Sequence, residues 1–161
     1  MPIIETVTEI KAPIERCFLL SLSVDLHTQS TSQTNEKAVA GVTTGTLKLN
    51  DTVTWRAKHF GIYQNLTSKI TAYTYPYSFI DEMVKGPFKR IHHQHLFEQK
   101  GEIVLMKDSF EFEAPLGLLG KLFSMLILKG YLQNFLNRRN AYIKKVAEGE
   151  EWKDFVPHLT K

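Results

Sequence analysis

Residues 86–112, GPFKRIHHQHLFEQKGEIVLMKDSFEF, hold two runs of alternating side chains that meet at Lys100-Gly101. Alternation with period two marks strands, and the short step between the runs predicts a two-residue hairpin turn. In 102–114, Val104, Met106, Asp108, Phe110 and Phe112 share one face, while Lys107, Ser109, Glu111 and Glu113 share the other. In 88–98 the inward set is Ile91, His93, His95 and Phe97, leaving Arg90, His92, Gln94 and Glu98 outside. A face that should be greasy therefore carries two imidazoles and a carboxylate. A turn centred on Lys100-Gly101 pairs Gln99 with Glu102, Phe97 with Val104, His95 with Met106 and His93 with Asp108. Directly opposed β-carbons lie ~5 Å apart, so this register predicts contact between His93 and Asp108.

Outward from the hairpin, the same alternation turns Tyr77, Phe79, Asp81 and Met83 inward in 77–85, and Val53, Trp55, Ala57 and His59 in 51–59. Glycines and polar turns punctuate 36–114 into six consecutive strands, which are simplest as an antiparallel set. Ahead of them stand a strand (TVTEIKA) and one or two short helices opened by Pro13, with Glu15 at the positive helix end. After Pro115 and Gly117, apolar residues recur at helical spacing from Leu118 to about Glu148, through Leu122, Leu126, Leu132, Leu136, Ile143 and Val146. One long helix against such a sheet predicts a curved α+β fold with a hollow between the layers. A polar tail begins at about residue 149, with Trp152 and Phe155 as docking points.

At 161 residues the chain is expected to form a single domain spanning 1–161, and 43% hydrophobic content is enough for a real core. The net charge of +3 comes from scattered residues and points away from nucleic acid. Cys17 is the only cysteine, which excludes an internal disulfide and predicts a buried thiol. The start MPIIETVTEI lacks the basic and apolar regions of a signal peptide, so a cytoplasmic location is expected, and Asn65-Leu66-Thr67 carries little weight as a glycosylation signal. The apolar run 118–128 contains Lys121 and falls well short of the ~20 residues needed to cross a bilayer.

Buried carboxylates are costly unless paired, so Asp81, His93, His95 and Asp108 must either satisfy one another or meet a ligand. A core hydrogen-bond network, a ligand-orienting cluster and an acid-base pair all remain open here. HxH places two imidazoles on one face, but without a located third ligand no metal or other cofactor is expected. Arg138 and Arg139, near the end of the long helix, are expected to cap it or lie on its surface.

The stretches FIDEMVKGPFKRIHHQHLFE, MKDSFEFEAPLGLLGKL and LNRRNAYIKK resemble the SRPBCC superfamily, the START and birch-pollen-allergen-like helix-grip fold. The nearest likeness is to its polyketide-cyclase-like or "cell division inhibitor"-like branch, which usually carries Trp where this chain has Ile91. The resemblance implies about seven antiparallel strands wrapped around a long C-terminal helix, with two short helices after the first strand. It also implies an internal cavity for a hydrophobic ligand such as a lipid, a polyketide-like molecule or an aromatic compound. Expected lining residues are Trp55, Phe79, Asp81, His93, His95, Phe97, Met106, Asp108 and Phe110, with Leu122 and Leu126 closing from the helix. The alternatives are a cyclase, dehydratase or hydrolase with His93 and Asp108 as catalytic candidates, or an accessory module for an epimerase-like enzyme. Membrane contact through the leucine-rich 115–132 stretch is a lesser expectation.

Overall fold

A computed structural model describes residues 1–115 and 117–160. The side chains of Leu118, Gly120, Lys121, Ser124 and Thr160 lie outside that set, so the expected membrane contact of the 115–132 stretch is described only in part. Seven strands form one antiparallel sheet: β1 (Ile3–Ile10), β2 (Lys37–Gly41), β3 (Thr52–His59), β4 (Ile62–Thr74), β5 (Ser78–Lys85), β6 (Arg90–Lys100) and β7 (Ile103–Glu113). Their spatial order is β1-β7-β6-β5-β4-β3-β2, so six strands succeed one another as hairpins and the first strand returns to lie beside the last. Register shifts at Ala38/Ala40, Thr67/Ser68 and Ile70/Ala72 insert bulges that bend the sheet, and its concave face receives the helices.

The decisive hairpin turns one residue later than the sequence predicts. Lys100 pairs with Ile103, and Gly101 takes the first central position with φ of +61°. That left-handed conformation favours glycine, and a type II′ turn needs it at this position. Every pairing therefore moves by two: His95 lies opposite Asp108, and His93 opposite Phe110. Because two is the side-chain period of a strand, each residue keeps its predicted face. Tyr77 precedes the first residue of β5 and is exposed, which corrects its expected inward direction.

Helices α1 (Ile14–Ser21) and α2 (Val24–Ser30) pack on one end of the concave face. Pro13 offers α1 no side-chain cap, but the orphan Ile14 N–H donates to Gln99 Oε1 at 3.0 Å, tying the helix to β6. Phe18, fully buried, stands edge-on to Tyr73, Phe79 and Phe97 at centroid distances of 5.2, 5.5 and 5.5 Å. This plug fills the α1 end of the hollow. Cys17 beside it is buried, and burial pushes its thiol up to about 12.

The long C-terminal helix is not uniform: α3 (Gly117–Phe123) passes through a π-helical turn (Ser124–Leu128) into α4 (Lys129–Glu148). A π turn admits an extra residue and rotates the helical faces on its two sides against each other. Beyond the turn, Leu136, Ile143 and Val146 are buried against the sheet, whereas Leu122 ahead of it and Leu126 within it are 58% and 73% exposed. The tail docks through α5 (Trp152–Phe155), where the Arg16 guanidinium lies 3.9 Å above the Trp152 ring. Among the described residues no helix is long and apolar enough to cross a membrane.

Candidate functional site

Between the sheet and α4, beyond the Phe18 plug, lies a cavity of about 190 Å³. Its sides are mostly apolar, with Trp55, Phe79, Phe110, Leu132 and Phe135 among them. An apolar cavity of ~150 Å³ already admits benzene, so this one has room for more than water.

One wall carries the cluster that the hairpin brings together. His93 Nε2 lies 2.9 Å from Asp108 Oδ1, and His95 Nε2 lies 2.9 Å from Asp81 Oδ2. The remaining nitrogens cross over: His95 Nδ1 is 3.0 Å from Asp108 Oδ1 without hydrogen-bond alignment, and His93 Nδ1 is 3.6 Å from Asp81 Oδ2. The two rings lie 3.8 Å apart, and His95 stacks on Phe79 at 4.1 Å. The two carboxylates are unlike each other. The Asp108 side chain has no exposure, whereas that of Asp81 keeps 24% and opens on the cavity.

Asp108 is held from every side. Its Oδ2 accepts from Thr6 Oγ1 on β1 at 3.1 Å and from Asn140 Nδ2 on α4 at 2.7 Å. Arg139 Nη1 lies 3.6 Å from Oδ1, and the same guanidinium donates to Asn140 Oδ1 at 3.0 Å and to the Ser21 carbonyl at 3.4 Å. Arg139 is thus buried and lines the cavity, which corrects the expected surface or capping role, while Arg138 is exposed. The position was legible: Leu132, Leu136, Arg139, Ile143 and Val146 are spaced four, three, four and three, a single helical stripe.

Burial alone would raise both carboxyls. Instead, contact with His93 and His95 holds Asp108 well below the usual range, and His95 with His93 lowers Asp81. Burial likewise opposes a charge on His95, but hydrogen bonding and the charges of Asp108 and Asp81 outweigh it and raise its pKa. His93, desolvated and facing a charged neighbour, falls to about 4. Below the raised pKa of His95, two negative carboxylates balance protonated His95 and Arg139, while His93 is neutral above about 4. A balanced buried set of this kind avoids an unpaired charge.

A second polar group on the cavity lining escaped the sequence reading. Glu36, buried just ahead of β2, takes a 3.0 Å contact from His27 Nε2, and the His27 ring sits 4.3 Å from Trp55. Its other oxygen, Oε2, has no partner among the described residues. His59 shares a 2.6 Å hydrogen bond with Tyr131, and burial lowers its pKa. Glu36 belongs to no periodic run, so alternation gave no signal for it.

Of the expected lining set, Trp55, Phe79, Asp81, His93, His95 and Phe110 line the cavity. Phe97 and Met106 face the predicted way but belong to the core at the α1 end, where Ser21 Oγ contacts Met106 Sδ at 3.5 Å. Asp108 lies behind the histidines rather than on the lining. Leu122 and Leu126 do not close the hollow, because the π turn puts them out of register, and Leu132, Phe135 and Leu136 take that place.

No protein-family model matches the sequence, and no curated protein matches it either. The likeness is in three dimensions. The ginseng major latex-like protein 151 from Panax ginseng superposes with a TM-score of 0.67 at 20% identity, covering 92% of this chain and 98% of that one. A START superfamily protein from Mycobacterium smegmatis gives 0.68 at 10% identity, covering 89% and 98%. A Thermus thermophilus protein gives 0.69 at 16%, covering 88% and 97%. The curved seven-stranded sheet closed by a long C-terminal helix is accordingly the helix-grip fold of the START and birch-pollen-allergen-like, or SRPBCC, proteins.

Proposed function

We propose that this protein binds a small, mainly apolar molecule in the cavity and holds its hydroxyl or N–H groups on carboxylates at two walls. The observation that carries this reading is an apolar hollow of about 190 Å³ containing a buried carboxylate oxygen, Glu36 Oε2, that lacks a donor among the described residues. A buried acceptor left unsatisfied costs about 1–3 kcal/mol, and a ligand donor would recover much of it. Asp81 presents a second acceptor from β5, three strand spacings or roughly 14 Å along the sheet from β2. Few polar groups converging in an apolar pocket are typical of small-molecule sites. Lipid, polyketide-like and aromatic ligands are the classes this lining suits.

Titration with 2-naphthol and with naphthalene, monitored by Trp55 fluorescence and native mass spectrometry, tests the reading. One equivalent of 2-naphthol is expected to bind at least about tenfold more tightly than naphthalene, the factor that a single hydrogen bond to a charged acceptor supplies. Ala57 is a small residue on the lining, and Ala57→Phe is expected to abolish binding without unfolding the protein. Equal affinity for the two probes, or undiminished binding by the variant, would defeat the proposal.

A further inference from the structure

We infer that Asp81, His93 and His95 form a site for one divalent first-row transition metal ion of the zinc or iron(II) class. Two imidazole nitrogens and a carboxylate oxygen are a donor set that these ions favour. The sequence lacked a located third ligand. The fold supplies it from β5, which runs beside β6 and pairs Asp81 with His93. One potential ligand atom from each of the three lies within 4.8 Å of the others. Asp81 Oδ2 is 2.9 Å from His95 Nε2 and 3.6 Å from His93 Nδ1. Ligands ~2.1 Å from a common ion stand roughly 3.0–3.4 Å apart in octahedral or tetrahedral geometry, so the separations bracket the need.

The other side of the histidines supports the same reading. Their far nitrogens, His93 Nε2 and His95 Nδ1, lie 2.9 and 3.0 Å from one oxygen, Asp108 Oδ1. Metal-binding histidines characteristically turn the non-ligating N–H to a carboxylate, which fixes the ring and its tautomer. Here a buried carboxylate anchored by Thr6 and Asn140 hydrogen-bonds His93 Nε2 and lies beside His95 Nδ1 without hydrogen-bond alignment. Asp81 opens on the cavity, leaving further coordination positions for water or a bound molecule. The inference shares Asp81 with the proposed apolar-ligand site but does not require 2-naphthol to bind.

The test is calorimetric titration of chelator-dialysed protein with zinc sulfate and with cobalt(II) chloride, together with nitrogen-15 NMR of the imidazoles. One equivalent is expected to bind at micromolar affinity or better, shifting His93 Nδ1 and His95 Nε2. Asp81→Asn, which keeps the side-chain shape, is expected to weaken binding by at least about tenfold. His92→Ala, on the outer face of β6, should bind as the wild type does. Absence of binding by either ion, full affinity in Asp81→Asn, or loss of binding in His92→Ala would overturn the inference. The NMR shifts decide the matter on the wild-type chain should a variant fold poorly.

Discussion

Replacing Asp108 with asparagine is expected to remove about 3–5 kcal/mol of folding stability, the usual cost of breaking a buried ion pair from one side. The substitution conserves shape but removes one of the two carboxylates that offset the Arg139 charge and favour a protonated His95. An amide NH₂ at this position must also confront donors, since Thr6, Asn140 and His93 all direct theirs at Asp108. Asp81→Asn changes the same formal charge on the cavity side, where its side chain is partly exposed and water can enter, so its cost should stay below about 1.5 kcal/mol. Urea unfolding of the two variants checks the contrast. Equal losses would mean that the carboxylates share one structural role.

The metal-free protein should be most stable near pH 6.5 and lose stability on both sides. His93 titrates at about 4 in the folded chain against an ordinary 6.5. Between those values the unfolded chain binds more protons, so stability falls as the pH drops, by on the order of 3 kcal/mol across the window. Below it, Asp81 and Asp108, whose folded pKa values are depressed, lose their contribution as the pH falls through those values. His95 works in the opposite sense. Its raised pKa contributes stability fully below 6.5, and that contribution is lost as the pH rises through the folded value. Unfolding midpoints from pH 4 to 9, with imidazole NMR titrations, measure both limbs. A flat profile from 4 to 6.5, with His93 titrating at an ordinary value, would refute the charge assignment.

Alternation carried most of this architecture. It put His93, His95 and Asp108 on one face, and it did so despite a misplaced turn, because an error of two residues leaves a strand's faces intact. The same arithmetic could not say where along a strand the hollow ends. Phe97 and Met106 face inward like His95, yet Phe18, contributed by a helix about 80 residues away in sequence, fills the space above them. Leu122 and Leu126 failed for a local reason, since a π turn interrupts the period on which their placement depended. Glu36 sits where the backbone is irregular and His27 on the short helix α2, and only tertiary structure brings them to Trp55.

The anchoring of Asp108 also bears on the order in which the molecule assembles. Its donors come from Thr6, 102 residues upstream, and Asn140, 32 residues downstream, and the Asn140–Thr6 bond spans 134 residues. Contacts across such spans require most of the loop-closure entropy to be met first, whereas the successive hairpins from β2 to β7 close locally. The strand that must come home last, β1, is the one that seals the buried carboxylate. The network should therefore form after the folding barrier, so Asp108→Asn is expected to accelerate unfolding by roughly a hundredfold or more while leaving the folding rate nearly unchanged. In a chevron plot the unfolding arm alone would rise. A matching drop in the folding arm would instead place this long-range closure at the start of folding.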